Sequence, residues 1–146
     1  MKQQFDAMVI ALCEAERLPQ PQRFIDGESL ELHGIEFSFL YDEESDAESM
    51  MLRVVFGHAP LKNETEIYQQ LLQQNHVGFS GNGPGFCVSP ASGKVLYLLK
   101  LPLSHTTPAL LAGTMLYFTE KVKQWQTDFF LPAPAVHTRR STLIPR

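Results

Sequence analysis

The residues that could do chemistry are few, and their spacing argues against each catalytic use. Gly83, Gly85 and the Gly93-Lys94 pair hint at a phosphate loop. Gly85 and Gly93 stand too far apart for that motif, and Val95 occupies the place of its Ser or Thr. Gly78-Phe79-Ser80-Gly81 lacks the pattern of a nucleophile elbow. The five histidines, His33, His58, His76, His105 and His137, sit at loops or element ends. None pairs with another His, Cys or carboxylate at metal-ligand spacing. Counting a calcium loop from Asp42 puts Ala47 and Arg53 where it needs Gly and Glu, so the acidic run Asp42–Glu48 reads as a solvated loop. Cys13 and Cys87 lie among apolar neighbours and read as buried free thiols. The expectation is a protein without a catalytic centre, metal or cofactor, so any action it has must run on binding energy alone.

The elements that would position these residues follow from periodicity. Phe5, Met8, Val9, Leu12 and Cys13 make one stripe of a first helix, stopped by Pro19 and Pro21. Ser29–Leu32 and Ile35–Tyr41 read as strands joined by the two-residue turn His33-Gly34. Met50–Phe56 is a third strand, with Leu52, Val54 and Phe56 on one face. Glu64–Asn75 reads as a second helix carrying Ile67 and Leu71 inward, with Asn63 and Glu66 at capping-box spacing. An irregular glycine-rich link, Gly78–Gly85, leads to strands at Phe86–Ser89 and Lys94–Leu101. Thr107-Pro108 opens a last helix lined by Leu111, Met115, Phe118, Val122 and Trp125, which ends near Leu131. Helix, three strands, helix, two strands, helix is an α+β order around a twisted antiparallel sheet. One domain is expected over residues 1–131. A Pro-containing, loose tail follows over 132–146.

Composition narrows the partners. In 146 residues, 44% are apolar and 19% charged, an ordinary globular balance with a formal charge of −4. The sequence pI of about 5.7 disfavours nucleic acid and anionic membranes as partners. No apolar run reaches the roughly 18 residues of a membrane span, and the N-terminus lacks a signal peptide's apolar core, so the cytoplasm is the expected compartment. Leu96–Leu101 is apolar on both faces apart from Lys100 and needs cover on both sides. A second copy is the economical cover, which predicts a twofold homodimer burying at least about 1,600 Å².

The order of elements, with Leu32-His33-Gly34-Ile35-Glu36-Phe37-Ser38-Phe39-Leu40-Tyr41-Asp42-Glu43, Gln69-Gln70-Leu71-Leu72-Gln73-Gln74-Asn75, Phe86–Val95 and Leu101-Pro102-Leu103, resembles the class I type III secretion chaperones, the CesT or Tir-chaperone family. The resemblance covers residues 1–131. It implies a bacterial cytoplasmic homodimer that binds an extended segment near the N-terminus of a secreted effector. The dimer keeps that segment competent for secretion and promotes its delivery to the apparatus, whose ATPase is a further partner in this reading. The effector would bind by strand addition and by apolar side chains set into grooves. Carried onto this chain, the effector-binding candidates are Phe5, Val9, Leu12, Phe37, Phe39, Leu52 and Val54. The dimer-interface candidates are Ile67, Leu71, Leu96, Tyr97 and Leu98. The alternatives are a small ligand-binding or enzymatic α+β domain and a permanent subunit of a larger assembly.

Overall fold

The computed structural model describes residues 1–78 and 85–132. Most of the glycine-rich link and all but the first residue of the expected tail therefore lie outside the described residues. Four helices, α1 (Lys2–Glu16), α2 (Pro21–Ile25), α3 (Glu64–Val77) and α4 (Pro108–Asp128), accompany five strands. The strands are β1 (Leu30–Leu32), β2 (Ile35–Leu40), β3 (Ser49–Gly57), β4 (Gly85–Val88) and β5 (Val95–Pro102). They form one antiparallel sheet in the order β1-β2-β3-β5-β4. The expected α+β order is present, with one addition. Pro21, read as a stop, instead opens the short helix α2, because proline fits the first turn of a helix as well as it ends one.

Local chemistry explains most boundaries. His33 and Gly34 both take positive φ, 56° and 82°, as the tight turn between β1 and β2 demands. The hydroxyl of Thr107 accepts the Leu110 N–H at 3.1 Å and so caps α4. The expected capping box at Asn63 does not form: Leu61–Asn63 is a 3₁₀ turn leading straight into α3, and the Asn63 side chain makes no cap bond. Helix α4 ends at Asp128, three residues before the expected Leu131, because Phe129 turns left-handed (φ 53°). Phe129, Phe130 and Leu131 still pack partly buried against the core, which is why the apolar periodicity runs past the helix end.

The core lies on one face of the sheet. Strand β3 alternates strictly, with Met50, Leu52, Val54 and Phe56 buried and the residues between them partly exposed. Register builds continuous apolar rows, Phe39–Leu52–Leu99 and Phe37–Val54–Tyr97–Phe86. Against this face pack Phe5, Val9 and Leu12 of α1 and Leu111, Met115, Val122 and Trp125 of α4, all but fully buried. Each such side chain contributes about 1.5–3 kcal/mol by leaving water. Edge-to-face rings bind the layers further: Phe56 meets Trp125 at 5.8 Å and Phe86 at 5.2 Å.

Candidate functional site

The seven expected groove residues do not line a groove in this chain. Phe5, Val9, Leu12, Phe37, Phe39, Leu52 and Val54 are all 0% exposed. They are the meeting of α1 with the sheet, so the stripes that suggested a groove are core. The expected dimer residues divide. Ile67, Leu71 and Leu96 are buried within the single chain, whereas Tyr97 and Leu98 keep partial exposure. Periodicity marks an apolar face, yet it does not tell which face the chain's own elements will cover.

Among the described residues, bare apolar side chains gather around three hollows, besides single exposed ones such as Leu61, Val77 and Leu116. The first lies between α3 and β4. There Tyr68, Leu71, Leu72, Phe86, Cys87 and Val88 line a depression of about 270 Å³, with Leu72 66% and Val88 44% exposed. The second runs along α4 beside β5, an open hollow of about 490 Å³ lined by Leu99, Leu110, Gly113, Tyr117 and Phe118. Leu110 and Tyr117 stand half exposed here, two turns apart on a helix whose inner stripe is complete without them. That second stripe was the available sequence signal: Leu110 and Tyr117 are apolar positions left over once Leu111, Met115 and Phe118 are spent on the core. The third is on the outer face of the sheet, where Leu40, Met51 and Leu98 surround the aliphatic stem of Lys100.

The polar surroundings of these surfaces are modest. Lys100 bonds Asp46 of the acidic loop at 2.9 Å, and this bond, ahead of the Glu48 N–H, holds the Asp46 carboxyl below its usual range. The Asp42 carboxyl is also lowered, chiefly by the Ser45 hydroxyl. Burial pushes the Cys13 and Cys87 thiols up, with Arg53 opposing at Cys87. Burial likewise raises the Tyr97 phenol. A raised thiol is a poor nucleophile near neutrality. Among the described residues, no three His, Cys, Asp or Glu side chains gather as metal ligands, and no helix is long and apolar enough to cross a membrane. The hollows beside α3–β4 and along α4 are lined mainly by apolar side chains.

The model of the Tir chaperone protein (CesT) family matches residues 25–126. This chain belongs to the CesT family. The matched span takes in the whole sheet, α3 and nearly all of α4, and leaves α1 outside it. Among solved structures, the CesT-family chain is similar to the crystal structure of the Yersinia pestis type III secretion chaperone SycH in complex with a stable fragment of YscM2. The likeness has a TM-score of 0.55 at 12% identity and covers 82% of this chain and 98% of that one. It is a likeness of fold. No curated protein sequence matches the chain. The resemblance read from element order and local motifs is thus shown at the level of the family.

Proposed function

We propose that this CesT-family chain is a cytoplasmic type III secretion chaperone that works as a homodimer. It holds an extended segment near the N-terminus of a secreted effector, keeps it competent for secretion and hands it to the secretion apparatus, with no nucleotide hydrolysed by the chaperone itself. The apparatus ATPase would be the receiving partner. The working unit is residues 1–131, with 132–146 outside it. Family membership supports the class. The observation that carries the mechanism is the position of the bare apolar surface: it lies on α3–β4, on α4 beside β5 and on the outer sheet face, while the α1-to-sheet seam is closed by the chain's own packing.

These surfaces suggest a division of labour. The α3–β4 depression, with Tyr68, Leu72 and Val88, forms the seam between copies. Buried Ile67 and Leu71 hold α3 in place beneath it. The α4 hollow, with Leu99, Leu110 and Tyr117, receives apolar side chains of the effector. An extended segment loses much entropy on ordering, so it must use a long contact with several such anchors.

Two measurements test the reading. Light scattering should give twice the chain mass of 16.5 kDa. Deleting the gene in its host should remove at least one protein from the type III secretome while other substrates continue to be exported. A monomer together with an unchanged secretome overturns the proposal.

A further inference from the structure

An edge strand ordinarily presents unpaired N–H and C=O groups that invite another chain to pair. Strand β4 is the outermost strand beside β5, and its middle is not open. The Phe86 N–H donates to Oδ1 of Asn75 at 2.8 Å, and Nδ2 of Asn75 donates to the Phe86 carbonyl at 3.0 Å. These two bonds close the pair that a residue of a neighbouring antiparallel strand would make. Asn75 sits in the last turn of α3, so a helix side chain stands where a sixth strand would begin.

A second, independent feature fits the same device. Gly85 has φ +77°, and a Cβ there would collide with Oδ1 of Asn75. The glycine read from sequence as the end of an irregular link thus clears the space that the Asn75 amide occupies. Alternation along β4 completes the geometry. The Ser89 N–H points inward to the Lys94 carbonyl at 2.9 Å, so Val88 and Phe86 turn their backbone groups outward while Cys87 faces β5. Of the two outward-facing positions, Asn75 takes Phe86.

We infer that Asn75 is a side-chain strand mimic that closes the β4 edge against strand addition, whether by another copy of the chain or by an extended partner. Two copies can then meet near α3 and β4 through side chains without fusing their sheets, and a partner strand is turned away from this edge. The inference stands on the geometry of Asn75, Gly85 and Phe86 and does not depend on the chaperone reading.

The test uses the full chain. In the wild type the Phe86 amide should be protected from hydrogen exchange although it faces the outer side of an edge strand; rapid exchange there overturns the inference. In Asn75→Ala that amide should exchange at least tenfold faster. The variant should also form species heavier than the wild type that grow with concentration, read by sedimentation velocity. The double variant Asn75→Ala/Val88→Pro removes the outward N–H of Val88 and should return the wild-type mass, because proline at an edge blocks pairing without touching the β5 ladder. A folded Asn75→Ala with unchanged mass at every concentration overturns the inference, as does association that Val88→Pro fails to reverse. Should Asn75→Ala fail to fold, Asn75→Asp serves in its place. It can accept the Phe86 N–H and cannot donate to the carbonyl, so heavier species are again expected, and their absence counts against the inference.

Discussion

Phe5 of α1 stacks on Tyr41 at the end of β2, with ring centroids 5.2 Å and planes 17° apart, and the Tyr41 hydroxyl donates to the Ala47 carbonyl at 2.8 Å. One tyrosine thereby ties the first helix, the sheet and the acidic loop together. Tyr41→Phe keeps the ring and loses the hydrogen bond, so a loss of about 1 kcal/mol is expected. Phe5→Ala empties a fully buried site and should cost about 3–5 kcal/mol. Urea unfolding of the two variants measures both, and a Phe5→Ala cost no larger than that of Tyr41→Phe would contradict the full burial of the Phe5 ring.

Phe39 decides between groove and core. The side chain is 0% exposed and lies in a row with Leu52 and Leu99. Phe39→Asp places a carboxylate where it has no water and no partner, so the variant should fail to accumulate as folded protein. Phe39→Leu should fold with a lowered melting temperature. A folded, soluble Phe39→Asp protein that had lost only its partner would return Phe39 to the groove.

The five strands in their succession along the chain and three of the four helices were legible because alternation and helical spacing are local signals. His33-Gly34 and Thr107-Pro108 were legible for the same reason, since their chemistry is complete within a few residues. Helix α2 was missed because a proline that ends one helix and a proline that begins another look alike. The assignment of Phe37 or Val54 to core rather than groove was not local at all. It depends on α1 and α4 covering that face, and those contacts bridge residues far apart in the chain. The bonds from Asn75 to Phe86 span eleven residues with the glycine-rich link between them, so no spacing rule announced them.

The division between seam and groove makes paired predictions at exposed positions, where substitutions cost little stability, within about 0.5 kcal/mol. Leu72→Asp should halve the mass seen by light scattering and leave the circular dichroism unchanged. Tyr117→Asp should leave the mass at that of the wild type and abolish co-purification of the effector identified from the secretome. If Tyr117→Asp changes the mass and Leu72→Asp does not, the two surfaces exchange roles.

The Lys100–Asp46 pair gives an acid signature. Asp46 is held below its ordinary value of 3.8, most of all by the Lys100 hydrogen bond. A carboxyl lowered by folding stabilises the fold above its unfolded pKa, and that contribution disappears as pH falls below 3.8 through the folded value. Asp46→Asn should therefore be slightly less stable than the wild type at pH 7, and the gap should close on acidification into that range. The pair is exposed, so the effect is small and should shrink in high salt. A gap that widens on acidification would contradict the assignment.

The two thiols offer a readout of the proposed seam. Both are raised by burial, so neither should react with a disulfide reagent near neutrality as fast as free cysteine does. Cys13 is 1% exposed and should stay silent until the protein unfolds. Cys87 lies in the depression that also holds Leu72 and Val88, so a second copy seated there would shield it. Native wild-type protein should then label at Cys87 slowly, and Leu72→Asp should label faster because its seam is broken. Denaturation should bring both thiols to the same rate. If Cys87 labels equally fast in wild type and Leu72→Asp while the wild type scatters as a dimer, the copies meet on another face and the α3–β4 depression becomes available to the effector instead.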